Sequence, residues 1–200
     1  IMSSDWSSDV CSSDLVGTFL SAKVGFRAPV LTALAKRGDL LSSIAPQLLP
    51  GVIGGILGAA VIVGFYEFSP KELAVLQETD SIPLAARVLY GGITEEVLVR
   101  WGLMTTLVWL GWRILQRGKA APSGTVVWLG IGISALLFGV AHVPSVVAAV
   151  GGAPLTIVAY ITLGNALFGL VAGILFWRYG LEAAITAHVL AHIIAFGIHG

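Results

Sequence analysis

The chain has 200 residues, 56% of them hydrophobic, with a mean hydropathy of +0.93 and 11 basic against 11 acidic residues. Charged residues make up 11%, against roughly 25% in an average soluble domain. This composition excludes a water-soluble domain, a disordered chain and a nucleic-acid binder working through a basic surface. Charge is also unevenly spread. Twenty of the 22 charged residues lie within residues 1–120, and the 58 residues between Lys119 and Arg178 contain no Asp, Glu, Lys or Arg. Such a run is long enough for two membrane crossings at roughly 20 residues each. The chain therefore reads as a polytopic, all-α transmembrane bundle.

Residues 1–15 differ in character from the rest of the chain. They are rich in Ser and Asp, aperiodic, and lack the basic start and apolar core of a signal peptide. Residues 9–15 read as the translation of a sequencing-library adapter, so 1–15 is expected to be an adapter-derived artefact or a disordered tail. The single cysteine, Cys11, falls there and says nothing about redox compartment. Residues 16–200 read as one transmembrane domain.

Residues 16–39 mix Lys23, Arg27, Lys36 and Arg37 with apolar side chains, as an interfacial amphipathic segment broken near Pro29 does. About five spans come after it, the first over 48–66. There Gly51/Gly55 and Gly54/Gly58 place small residues four apart and permit close helix approach. A polar, mostly acidic connection occupies 67–85, with Glu67, Lys71, Glu72, Glu78 and Asp80. The second span covers about 86–112 and ends in the basic loop 113–119. The third covers 125–143, stopped by Pro144, and 144–154 reads as a turn-rich link. The fourth and fifth cover 155–177 and 181–198. Positive-inside counting places the N-terminal basic segment, the 113–119 loop and Arg178 on the cytoplasmic side.

Within the second span, Glu95, Glu96 and Arg100 need an explanation, because each charge near mid-bilayer costs about 2.5–3.5 kcal/mol. Glu96 and Arg100 lie one helical turn apart and can pair on one face. Glu95 is rotated about 100° away and can point elsewhere, leaving one carboxylate clamped and the other available for chemistry. In the third span Phe138 and His142 are also one turn apart, so the phenyl ring can limit the imidazole's rotamers. In the fifth, His188 and His192 share a face, where they can chelate a metal or donate toward one point. Asn165 reads as an interhelical hydrogen-bonding residue. Trp101, Trp109, Trp112 and Trp177 read as core or interfacial anchors. Helix packing alone is the plain alternative for each polar residue, but their similar depths argue for one shared pocket.

Glu-Glu-x-x-x-Arg, then Phe-x-x-x-His, then a late His-x-x-x-His resembles the CPBP family, the CAAX-protease and bacteriocin-processing membrane peptidases. The resemblance covers roughly residues 20–200 and implies an intramembrane endopeptidase. CAAX proteases of this kind remove the last three residues of prenylated substrates. It also implies a peptide or lipidated protein substrate, a bacterial inner-membrane location, and roles for particular residues. Glu95 with His142 would activate a water, His188 and His192 would stabilise the oxyanion, and Glu96, Arg100 and Phe138 would support the site. The family's last motif usually ends in asparagine, where this chain has His192. That departure leaves open an oxyanion donor or a zinc ligand, with His142, His188 and His192 as the metal set if zinc is bound and a metal-free glutamate mechanism otherwise. Two readings from other classes remain, a metal-ion or proton transporter and a non-catalytic immunity or scaffold protein.

Overall fold

The computed structural model describes residues 17–73, 83–152 and 154–199. Residues 74–82 of the expected acidic connection, with Glu78 and Asp80, and the tail 1–15 with Cys11 lie outside the described residues. Everything regular in the described part is helical. Three helices are long and apolar enough to cross a membrane by length and composition, and the apolar stretch Leu181–Gly197 is shorter. The molecule is an all-α membrane bundle.

Helix α1 (residues 17–24) and α2 (Pro29–Lys36) form the amphipathic N-terminal segment. Pro29 opens α2 rather than merely breaking the chain, since its fixed φ and missing N–H suit a first turn. The segment does more than lie at an interface. Val24, Phe26 and Ala28 enter the hydrophobic core, and the Phe26 ring sits 4.8 Å from that of Phe176. The Glu182 carboxylate accepts from the Leu31 N–H at 2.9 Å, and the Arg27 carbonyl accepts from the Leu181 N–H at 3.0 Å.

Helix α3 (Leu40–Glu67) starts eight residues before the expected span. Asp39 caps it, accepting from Leu41 and Ser42 N–H. Pro46 and Pro50 both lie inside the helix. In this stretch side chains join the backbone bonding: Ser43 Oγ donates to the Asp39 carbonyl at 2.8 Å and Gln47 Nε2 to the Ser43 carbonyl at 2.9 Å.

Helix α4 (residues 84–115) is the charged one. It begins and ends as α-helix, but Arg87–Glu95 and Val97–Met104 are π-helical, with i→i+5 bonding. Thr105 Oγ1 reaches the Arg100 carbonyl, five residues back, at 3.1 Å. Long π stretches are rare, and π geometry tends to occur at functional sites. Helix α5 (Gly124–Ala141) comes next, capped by the Ser123 hydroxyl. The expected turn-rich link proves instead to contain helix α6 (Val143–Val150), which Pro144 opens and Gly151 at φ 74° closes. A proline stops a helix at its interior but fits at the first turn. Helices α7 (Leu155–Arg178) and α8 (Leu181–His199) complete the bundle.

The glycines of α3 face α8 as the spacing predicts. A Cβ on Gly51 would meet Thr186 at 2.9 Å, and one on Gly55 would meet Leu190 at 2.6 Å and the Ala187 carbonyl at 3.2 Å. Ala183, Ala187 and Ala191 on α8 are fully buried, so two small-residue faces bring the backbones together. Gly139 does the same for α5 against α7, where a Cβ would collide with the Thr162 carbonyl oxygen. Trp101, Trp109, Trp112 and Trp177 pack partly buried against the core.

Candidate active site

Glu95 and Glu96, adjacent on α4, point into different surroundings. The Glu96 side chain is 0% exposed and that of Arg100 is 1%, and Arg100 Nε stands 3.2 Å from Glu96 Oε2. A third partner completes this cluster: His188 Nδ1 donates to Glu96 Oε1 at 2.7 Å. Arg100 also donates from Nη2 to the Gly169 carbonyl at 3.2 Å, and its guanidinium carbon lies 4.9 Å from the Phe138 ring centre. One buried ion cluster thus ties α4 to α7 and α8. Breaking it would leave an uncompensated charge, which is far costlier than never having built it.

The Glu95 carboxylate is 17% exposed and faces His142, with Oε1 3.9 Å from Nε2. His142 ends α5. Its Nδ1 lies 2.8 Å from the Phe138 carbonyl. A carbonyl only accepts, so Nδ1 carries the proton, and in the neutral ring Nε2 presents a lone pair to Glu95. The Phe138 ring packs edge-on against the imidazole at 4.7 Å. One residue therefore fixes the histidine twice, through its backbone and its ring.

Glu95, His142, His188 and His192 line a single cavity of about 830 Å³. Its walls are mainly apolar, with Phe65, Tyr160 and Phe168 among them. This matches the general build of ligand sites, an apolar hollow with a few convergent polar groups. The rings along α8 stack in a column: His188 to His192 at 4.9 Å and His192 to Phe196 at 5.8 Å. Arg87 caps it, its guanidinium carbon 3.8 Å over the Phe196 ring.

The structure thus gathers all seven sequence-derived site residues into this cavity and the ion cluster beside it. Asn165 lines the cavity, but its amide donates to the Ile161 carbonyl of its own helix at 2.9 Å, not across helices as expected. Within a helix the carbonyl four residues back is the nearest acceptor for such a side chain. Gly91 escapes a reading of the sequence alone. A Cβ there would lie 2.8 Å from His192 Nε2 and 3.8 Å from Glu95 Oε2, so its missing side chain lets these two groups share one space. The only signal in the sequence is a small residue four positions before Glu95. Arg87 escapes as well, although it falls within the expected second span and lines the cavity.

The expected zinc set does not fit this arrangement. Among the described residues no three His, Cys, Asp or Glu side chains are placed to hold a metal ion. His188 commits Nδ1 to Glu96, and its ring stacks on His192 at 23°, so the two imidazoles run alongside rather than converge.

A helical membrane bundle with buried acids and imidazoles around an apolar cavity belongs to the class of intramembrane catalysts and ion-handling proteins. The family comparison narrows this. Residues 77–194 match the model of type II CAAX prenyl endopeptidase Rce1-like proteins, and the chain belongs to that family, one of CAAX-type intramembrane endopeptidases. No match to the chain is found among curated proteins or solved structures.

Proposed function

We propose that the protein hydrolyses a peptide bond of a lipidated, CAAX-type substrate, releasing its last three residues. The reading rests on family membership and on one geometric observation, the Glu95 carboxylate facing the Nε2 lone pair of His142 inside the cavity. Two acceptors share no direct hydrogen bond, but at 3.9 Å apart both lie within reach of one water. That water would give one hydrogen to each, leaving its oxygen lone pairs free for the substrate carbonyl. Glu95 takes the proton as the new C–O bond forms, and later delivers it to the leaving amine. His188 and His192 face the same hollow; His188, its Nδ1–H given to Glu96, donates from Nε2 to the tetrahedral oxygen as an imidazolium, and His192 donates through its own N–H. A donor of that kind is worth about 3 kcal/mol. No step runs through a metal. The apolar walls suit a lipid chain, and a bacterial inner membrane is the proposed location.

Glu95→Gln and His142→Ala test the reading in a fluorogenic farnesylated-peptide assay. Both should lower kcat by at least about 100-fold with the protein still folded. Full activity in either variant, or loss of wild-type activity to a chelator, would overturn the mechanism. A transporter would instead move zinc or protons across liposomes without cleaving the peptide.

A further inference from the structure

We infer that Asn165 holds the substrate's main chain, its side-chain carbonyl accepting a backbone N–H beside the scissile bond. This rests on the peptidase reading above. Asn165 is the one side-chain amide among the described residues that line the cavity. Its Nδ2 donates to the Ile161 carbonyl at 2.9 Å. A carbonyl only accepts, so the nitrogen end of the amide is the one turned along α7, and Oδ1 points away from it. Among the described residues no donor reaches Oδ1, and the oxygen is not fully buried. The side chain therefore brings to the hollow a carbonyl of fixed direction with its lone pairs unused.

Helix packing puts that oxygen at the depth of the chemistry. Helices α5 and α7 run antiparallel and touch at two crossings. A Cβ on Gly139 would strike the Thr162 carbonyl, and one on Gly169 would lie 3.0 Å from the Ala135 Cα. Asn165 stands between these crossings, level with Phe138, whose ring centre is 4.7 Å from that of His142 and 6.2 Å from that of His188. Phe168 follows Asn165 by three residues on the same face of α7, and its ring is 4.5 Å from His188.

A peptide drawn into a mostly apolar hollow brings N–H groups stripped of water, and each is costly unless paired. Two hydroxyls on the walls have already given their protons away, Ser145 to the His142 carbonyl at 2.8 Å and Tyr160 to the Phe65 carbonyl at 2.6 Å. Glu95 and His142 are taken up with the attacking water. The Asn165 carbonyl remains as a neutral acceptor, the kind of partner a backbone N–H finds in a helix or sheet. It holds the chain without reading any substrate side chain.

The full chain in detergent tests this with farnesylated peptides in which one backbone amide at a time, the scissile one excepted, becomes an ester. The ester lacks the N–H. In the wild type one position beside the scissile bond should raise KM by about 3- to 10-fold with kcat nearly held, the size of one neutral hydrogen bond. Asn165→Leu, similar in shape, should raise KM for the all-amide peptide by a like factor and abolish the ester penalty at that position. Asn165→Ala is the second variant and should behave alike. A wild type indifferent to every ester would overturn the inference while the peptidase stands. A purely structural asparagine would slow all peptides equally and leave the ester penalty in place, which overturns it too. If the wild type does not cleave even the all-amide peptide, the peptidase reading itself falls.

Discussion

Two neighbouring glutamates on one helix occupy opposite kinds of environment. Glu96 is sealed between Arg100 and His188, every partner a charge or a hydrogen-bonding ring. Glu95 is partly open to the cavity and meets its histidine only across a gap. A carboxylate pressed against a guanidinium and an imidazole serves as a structural strut, whereas one that meets its histidine across a gap has room for a water between them. The sealed cluster also serves the open pair. It orients His188, and its arginine lies over the same Phe138 that steadies His142.

The contrast can be broken from either side. The largest effect is expected on the sealed side. Arg100→Ala should strand the Glu96 charge and cost about 3–5 kcal/mol, read as a lowered unfolding midpoint in detergent. Replacing both Glu96 and Arg100 by apolar residues of similar size should recover much of that stability without recovering activity. On the open side, Glu95→Gln should leave the midpoint nearly unchanged while turnover collapses; a large fall in its midpoint would erase the distinction between the two acids. Gly91→Ala should be intermediate. The added methyl meets an imidazole held between two stacked rings, an overpacking cost of about 1–3 kcal/mol, and the assay should show a loss of activity larger than the change in midpoint. The smallest effect belongs to His192→Asn, which restores the family's usual side chain and keeps an N–H donor. It should retain activity within about tenfold, while His192→Ala should lose about 100-fold in kcat.

Much of this is visible in the chain itself. Uncharged runs locate the hydrophobic helices, and i,i+4 spacing pairs Glu96 with Arg100 and the α3 glycines with a close neighbour. The failures share a cause. Pro144 reads as a helix stop, yet it also opens α6, because a first turn needs no N–H from it. A period-3.6 reading cannot anticipate i→i+5 bonding, which comes from how α4 packs. The partnership of Glu96 with His188 spans 92 positions, and no local pattern encodes it.

The wide coil of α4 has a consequence for how the chain can vary. From Arg87 to Met104 more residues are wound into each turn than an α-helix holds, so the segment carries slack. Losing one residue between 97 and 104 would let that stretch tighten into ordinary helix. Because the tighter coil turns each remaining residue further, the two changes offset, and the segment upstream, Glu95 included, would keep nearly the same face. The stretch 97–104 can therefore shed a residue, as ordinary helix on either side could not, without turning the acid out of the hollow.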